Sequence, residues 1–223
     1  MKISTILLSF LFTLTTISQT IEKNVGDFNE IKVFDLIEAN LIPSDHNKVV
    51  IKGKNTQSVK VINNNGLLKL RMELEQRFDG TETFVEVYYT NIDIIDANEG
   101  AIIVSSEAIE QNKIELRSQE GGMIKVGLQV DFVKVKAVTG GIIESSGLAK
   151  IQEITINTGG IFEGADLKTQ DTKIRVTAAG EAEINATEKV DIKITAGGNV
   201  VVYGNPRQIK KKRFAGGRIK FVD

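Results

Sequence analysis

The chain has no cysteine and no tryptophan, and it carries only one histidine, His46. Without cysteine it cannot be a disulfide-framed secreted domain, nor a bacterial lipoprotein with a lipidated cysteine. A zinc site or a histidine-based catalytic triad has almost nothing to work with, and His46 sits in a turn-like Pro-Ser-Asp-His-Asn-Lys stretch. There are two prolines, and Tyr88, Tyr89 and Tyr203 are the only tyrosines. Neither sign of charge dominates: 28 Lys and Arg face 29 Asp and Glu, so a global field attracting nucleic acid is excluded and any basic function is local. Nor is there a long helical period anywhere along the chain.

One long apolar run does occur, at the very start. Lys2 precedes Ile3 to Ile17, and Thr16 and Ser18 stand at the −3 and −1 positions of a cleavage site before Gln19. This is the pattern of an export signal, expected over 1–18, and it is short for a bilayer span. No other stretch is long and apolar enough to cross a membrane. The remainder, 19–223, is expected to be one domain that stands on packing alone.

What fills the chain is short β-branched runs of period two, separated by turn residues. The first half is an irregular strand region, with Ile31-Lys-Val33, Val49-Val50-Ile51, Val59-Lys-Val61, Leu68-Lys-Leu70 and Phe84-Val-Glu-Val87. From about 92 to 204 a repeat takes over. Its first strand type begins at Ile114, Val133, Ile154, Ile174 and Ile192, and a second follows each turn at Ile102, Met123, Ile142, Ile161, Ala182 and Val200. Glycines punctuate between them, among them Gly121-Gly122, Gly140-Gly141, Gly159-Gly160 and Gly197-Gly198.

A helix-free repeat of about 19–20 residues fits one coil of a parallel β-solenoid, in which apolar residues at equal phase stack as columns. The expected fold is therefore all-β: a right-handed parallel β-helix-like solenoid with a less regular N-terminal β region. An antiparallel sandwich also repeats its turns, but it needs no steady register. The inward series is expected to shrink toward each turn, as in Ile154, Ile156, Thr158 and Ile192, Ile194, Ala196. Lys134, Lys136, Thr155, Arg175, Thr177, Lys193 and Thr195 are expected outside. Paired glycines suit corners that need positive φ or close approach between coils.

No motif points to chemistry. Asp93, Asp96, Glu99, Glu107 and Glu110 lack the spacing of a calcium loop. The glycines open no helix, so no phosphate cradle forms, and no serine lies in a nucleophile elbow. Catalytic residues, metal ligands and a cofactor site are therefore not expected. The candidate surface contacts are Tyr88 and Tyr89, the one aromatic pair, and the basic run Lys210, Lys211, Lys212 and Arg213. The segment 205–223 is expected to cap the last coil, with Phe214, Ile219, Phe221 and Val222 packing inward and the lysines facing water.

Gly26-Asp-Phe28-Asn-Glu-Ile31-Lys-Val33 resembles the opening of the putative auto-transporter adhesin, head GIN domain family of exported Bacteroidetes proteins. Gly66-Leu-Leu68-Lys-Leu70 and Val85-Glu-Val87 continue the likeness, and Gly197-Gly198-Asn199-Val200 with Tyr203-Gly204-Asn205-Pro206 is similar to the family's close. The resemblance spans about 24–222; the basic run at 210–213 replaces the glycine- and serine-rich tail common in the family. It implies a β-helix-like fold and a non-enzymatic exported protein of the periplasm, outer-membrane periphery or cell surface, with a role in adhesion or envelope structure. Its partners would be an envelope component, a polysaccharide or another protein. No catalytic residues come with it. The alternative is a polysaccharide-binding or carbohydrate-active β-helix, which would set carboxylates on an outer strand face.

Overall fold

The computed structural model describes residues 20–222, so the export signal expected over 1–18 lies outside the described residues. In chain order the early strands are β1 (Ile21–Asn24), β2 (Glu30–Val33), β3 (Glu38–Pro43), β4 (Lys48–Gly53), β5 (Val59–Asn64), β6 (Leu67–Met72) and β7 (Thr83–Tyr89). Then come β8 (Ile94–Ala97), β9 (Ile102–Ser105), β10 (Ile109–Ser118), β11 (Met123–Val138), β12 (Ile142–Asn157), β13 (Ile161–Ala178) and β14 (Glu181–Ala196). The last three are β15 (Asn199–Tyr203), β16 (Gln208–Ala215) and β17 (Arg218–Phe221). Together they make a β-solenoid of about seven turns, as the repeat predicts.

Each full coil has two sides, because the inward alternation breaks phase twice per turn. In β11, Ile124, Val126, Leu128 and Val130 are buried along one side; after Asp131-Phe132 the phase shifts and Val133, Val135 and Ala137 are buried along the other. Side one stacks β6, β2 and β8, then the second halves of β10 to β14, then β16, all in parallel. Side two stacks β7, β3 and β9, the first parts of β11 to β14, then β15 and β17.

The start of the chain departs from sequential coiling. Strand β2 pairs with both β6 and β8, and β3 with both β7 and β9. The first coil therefore lies between two coils made later. Antiparallel strands cover the edges beyond it: β5 on β6, β4 on β7, and β1 on β4. These are the irregular strands expected of the first half, and they shield that end of the stack.

The register corrects the spacing read from the sequence. Ile114 pairs with Val133, but Val135, not Val133, pairs with Ile154, and Val133 faces Gln152. Ile154 then pairs with Ile174, Ile174 with Ile192, and Ile192 with Lys211. Thr158 and Ala196 lie beyond the last inward position and are exposed, so the expected tapering stops at Ile156 and Ile194. The inward columns run unbroken through the molecule. One comprises Leu68, Ile31, Ile95, Leu116, Val135, Ile154, Ile174 and Ile192, nearly all shielded from water. Burial of each such side chain contributes about 1.5–3 kcal/mol, which is how a chain without disulfides holds together.

The glycine pair divides its labour. Gly159, at φ +73°, has open space around it, whereas a Cβ on Gly160 would lie 2.1 Å from the Ala137 carbonyl oxygen. The first glycine of the pair serves conformation and the second serves close approach between coils.

The segment expected as a cap forms one more coil. Strand β16 pairs with β14 and β17 with β15, and every residue of β16 is exposed. Phe214 is 85% exposed, so it does not pack inward as expected; Ile219 and Phe221 are partly buried against the core. The reason is register. Ile192 faces Lys211 and Ile194 faces Arg213, which places those two cations at the inward positions and turns Phe214 outward. Lys211 Nζ lies 5.4 Å from the centre of the Phe221 ring, and Arg213 Nη1 donates a 2.7 Å hydrogen bond to the Gly217 carbonyl.

Candidate functional site: the outer ladders of side one

The same register that stacks the core sorts the outward side chains into straight columns. One column of side one carries Lys69, Lys32, Asp96, Arg117, Lys136, Thr155, Arg175, Lys193 and Lys212 on successive strands. Its neighbour carries Glu115, Lys134, Glu153, Lys173, Asp191 and Lys210, alternating in sign. Adjacent coils are about 4.8 Å apart, so each cation of this second column reaches an acid beside it. Lys134 lies 3.2 Å from Glu115, Lys173 3.1 Å from Glu153, and Lys210 3.5 Å from Asp191.

The two columns thus differ in electrostatics. Near its N-terminal end the first column holds ion pairs, with Lys32 3.3 Å from Asp96 and Arg117 2.8 Å from Glu115. Burial alone would raise the Glu115 carboxyl, but hydrogen bonds and charge from Arg117 and Lys134 outweigh it and hold it below the usual glutamate value. Farther along, Lys136, Arg175, Lys193 and Lys212 have no ion-pair partner among the described residues and are exposed. A third column, Val138, Asn157, Thr177 and Thr195, ends at Phe214 and flanks these cations with amide and hydroxyl groups.

The residues singled out in the sequence fall in separate places. Tyr88 faces outward at the far end, stacked on His46 at 6.5 Å with Lys48 Nζ 4.9 Å from its ring centre. Tyr89 is 6% exposed, a core residue rather than a surface contact, and burial, reinforced by Glu107, raises its phenol above the usual value. Lys210 and Lys212 face outward on side one while Lys211 and Arg213 take inward positions, so the basic run is divided between two environments. The acidic stretch is also dispersed. Asp96 serves Lys32, Asp93 accepts from Asn29 at 2.9 Å, and Glu99 pairs with Arg77. Among the described residues no three His, Asp or Glu side chains converge as metal ligands would.

The surface also carries several shallow grooves. One of about 600 Å³ runs along the bend between the sides, lined by Gln129, Asp131, Leu148, Lys150 and Lys168, with Asp131 and Lys150 paired at 2.6 Å. Another, of about 320 Å³ on side two, is lined by Glu163, Glu181, Glu183, Arg218 and Lys220. The unpaired basic column was not recognised in the sequence as a unit. Its signal was outward Lys and Arg at coil spacing, and it emerges only when Val135 is set beside Ile154.

The model of the family described as "Putative auto-transporter adhesin, head GIN domain" matches residues 27–206. A search of the curated proteins finds no match. Among solved structures, a putative adhesin from Bacteroides fragilis NCTC 9343 superposes with a TM-score of 0.85 at 16% identity, covering 93% of this chain and 98% of its own. A putative adhesin from Parabacteroides merdae ATCC 43184 gives 0.70 at 17% identity, covering 93% and 97%. A protein from Parabacteroides distasonis ATCC 8503 described as a putative lipid binding protein gives 0.70 at 16%, covering 93% and 98%. At these identities the likeness is one of fold.

Proposed function

Because this chain belongs to the putative auto-transporter adhesin, head GIN domain family, we propose that it is an exported, non-enzymatic protein acting by adhesion at the cell envelope, with side one as its contact surface. The observation that carries this reading is the set of outward ladders, held in fixed register by the buried columns beneath. A rigid face repeating the same chemistry at each coil suits many weak contacts with an extended partner. Such contacts gain strength from number and alignment rather than from any one group. The leader expected over 1–18 agrees with export, and the fold neighbours described as adhesins agree with the role.

The test uses the protein purified without its leader. Saturable binding to envelope fractions of the source cells, weaker for cytosolic fractions, is expected; equal retention by both fractions sinks the reading. Antibody labelling of intact cells, compared with cells whose outer membrane has been permeabilised, distinguishes surface from periplasm.

A carbohydrate-active reading keeps one observation in its favour. Glu163 and Glu183 occupy register-paired positions in the side-two groove. Release of oligosaccharides from a polysaccharide panel, abolished by Glu183→Gln, would replace the adhesion reading.

A further inference from the structure

We propose that the unpaired basic column of side one binds a linear acidic polysaccharide lying parallel to the solenoid axis. This rests on the adhesion reading above and names the partner of its contact surface.

The geometry is that of a line. Arg175, Lys193 and Lys212 stand on three consecutive coils, and Lys136 lies two coils before Arg175 with Thr155 between. From Lys136 to Lys212 is four coil steps, about 19 Å. These four cations repel one another, and none of them has an ion-pair partner among the described residues, while the column beside them is neutralised pair by pair. A polymer with an acid group every one or two coil steps supplies what the fold leaves out.

The flanking chemistry narrows the class. Thr155 lies within the column, and Asn157, Thr177 and Thr195 run alongside it, offering hydroxyl and amide groups to the hydroxyls of sugars. Single-stranded nucleic acid is bound by aromatic platforms, and here the only aromatic side chain in the two columns is Phe214 at their end. Phosphates of one DNA strand also repeat at about 3.4 Å along the duplex, out of step with coils at about 4.8 Å.

The experiment measures binding of polygalacturonate, neutral dextran and a single-stranded oligodeoxynucleotide to the protein lacking its leader. The wild type is expected to bind polygalacturonate saturably, to ignore dextran, and to lose affinity at high salt. The variant Lys136→Thr, Arg175→Thr, Lys193→Thr removes three rungs by installing the residue already present at position 155. It is expected to bind about tenfold more weakly or worse, with unchanged melting. A control of equal charge loss away from the column, Lys23→Thr, Lys168→Thr, Lys220→Thr, is expected to stay within about twofold of wild type. No binding of polygalacturonate, equal loss in both variants, or tighter binding of the oligonucleotide each overturns the proposal. If envelope fractions still bind while polygalacturonate does not, this inference falls and the adhesion reading stands.

Discussion

The Ala137 carbonyl oxygen occupies the space that a side chain at Gly160 would enter, 2.1 Å from an ideal Cβ there, while the adjoining Gly159 faces open solvent at φ +73°. The two glycines of one corner therefore answer different physical demands, sterics between coils for one and backbone conformation for the other. Gly160→Ala is expected to cost about 3 kcal/mol or more, since backbone on another coil must move. Gly159→Ala is expected to cost about 1 kcal/mol, the penalty of holding alanine at positive φ. Urea denaturation of the two variants measures both; equal losses would disprove the division.

Phe214 and Phe221 stand on the same last coil yet differ in burial. Phe214→Ala is expected to change stability by less than about 0.5 kcal/mol, because the ring is in water. Phe221→Ala is expected to cost about 1–2 kcal/mol, less than a fully buried phenylalanine, because its ring is only partly covered. Thermal melts that rank the two in the opposite order would show that the last coil packs differently.

Lys211 and Arg213 terminate two inward columns that are otherwise apolar or uncharged. One column ends Ile174, Ile192, Lys211; the other ends Val176, Ile194, Arg213. An exposed strand with apolar inward residues invites another chain, and inward charges prevent it. The double variant Lys211→Val, Arg213→Val is expected to associate end to end as concentration rises, with the mass read by light scattering. A variant that stays as monodisperse as the wild type would remove this protective role.

Glu115 gives a pH dependence with a definite sign. Its carboxyl is held below the usual glutamate value in the folded state, so its ion pairs add stability above the unfolded-state pKa and lose it as pH falls through the folded value. The stability gap between wild type and Glu115→Gln is therefore expected to be widest near neutral pH and to narrow in acid. A gap that is constant with pH would mean that the carboxylate charge is not what matters.

Most of the fold was legible because its signals are local. Period-two β-branched runs and glycine pairs fixed the coil, and the apolar phase fixed which residues face in. What failed was one register step. Matching Val133 rather than Val135 to Ile154 placed Lys134 beside Thr155 and Lys136 beside Asn157, mixing a neutral ladder with a basic one. The sequence offers both matches, since each is a valine two residues from the other. The offset of 19 residues that β11 and β12 keep from Met123 beside Ile142 through Val138 beside Asn157, unbroken across the bend at Asp131-Phe132, decides for Val135. The Phe214 error has a different cause. An aromatic after a basic run suggests burial, but the strand parity set by Ile209 facing Val190 turns it outward. Similarly, neighbouring Tyr88 and Tyr89 must point to opposite faces of a strand, so they could not act as a pair.

The placement of β2 and β3 between β6–β7 and β8–β9 governs the order in which the molecule is assembled. Coils from β10 onward need only the coil just completed as a template, so they can be added one after another as the chain emerges. The first coil has no such freedom. Its two neighbours are made from residues 67–89 and 94–105, so nearly the first half of the chain must be brought together before any of it is secure. That end carries the long-range closures, and the entropy they cost makes it the slow step. The half whose sequence is least regular thus sets the pace for the half whose sequence is most regular.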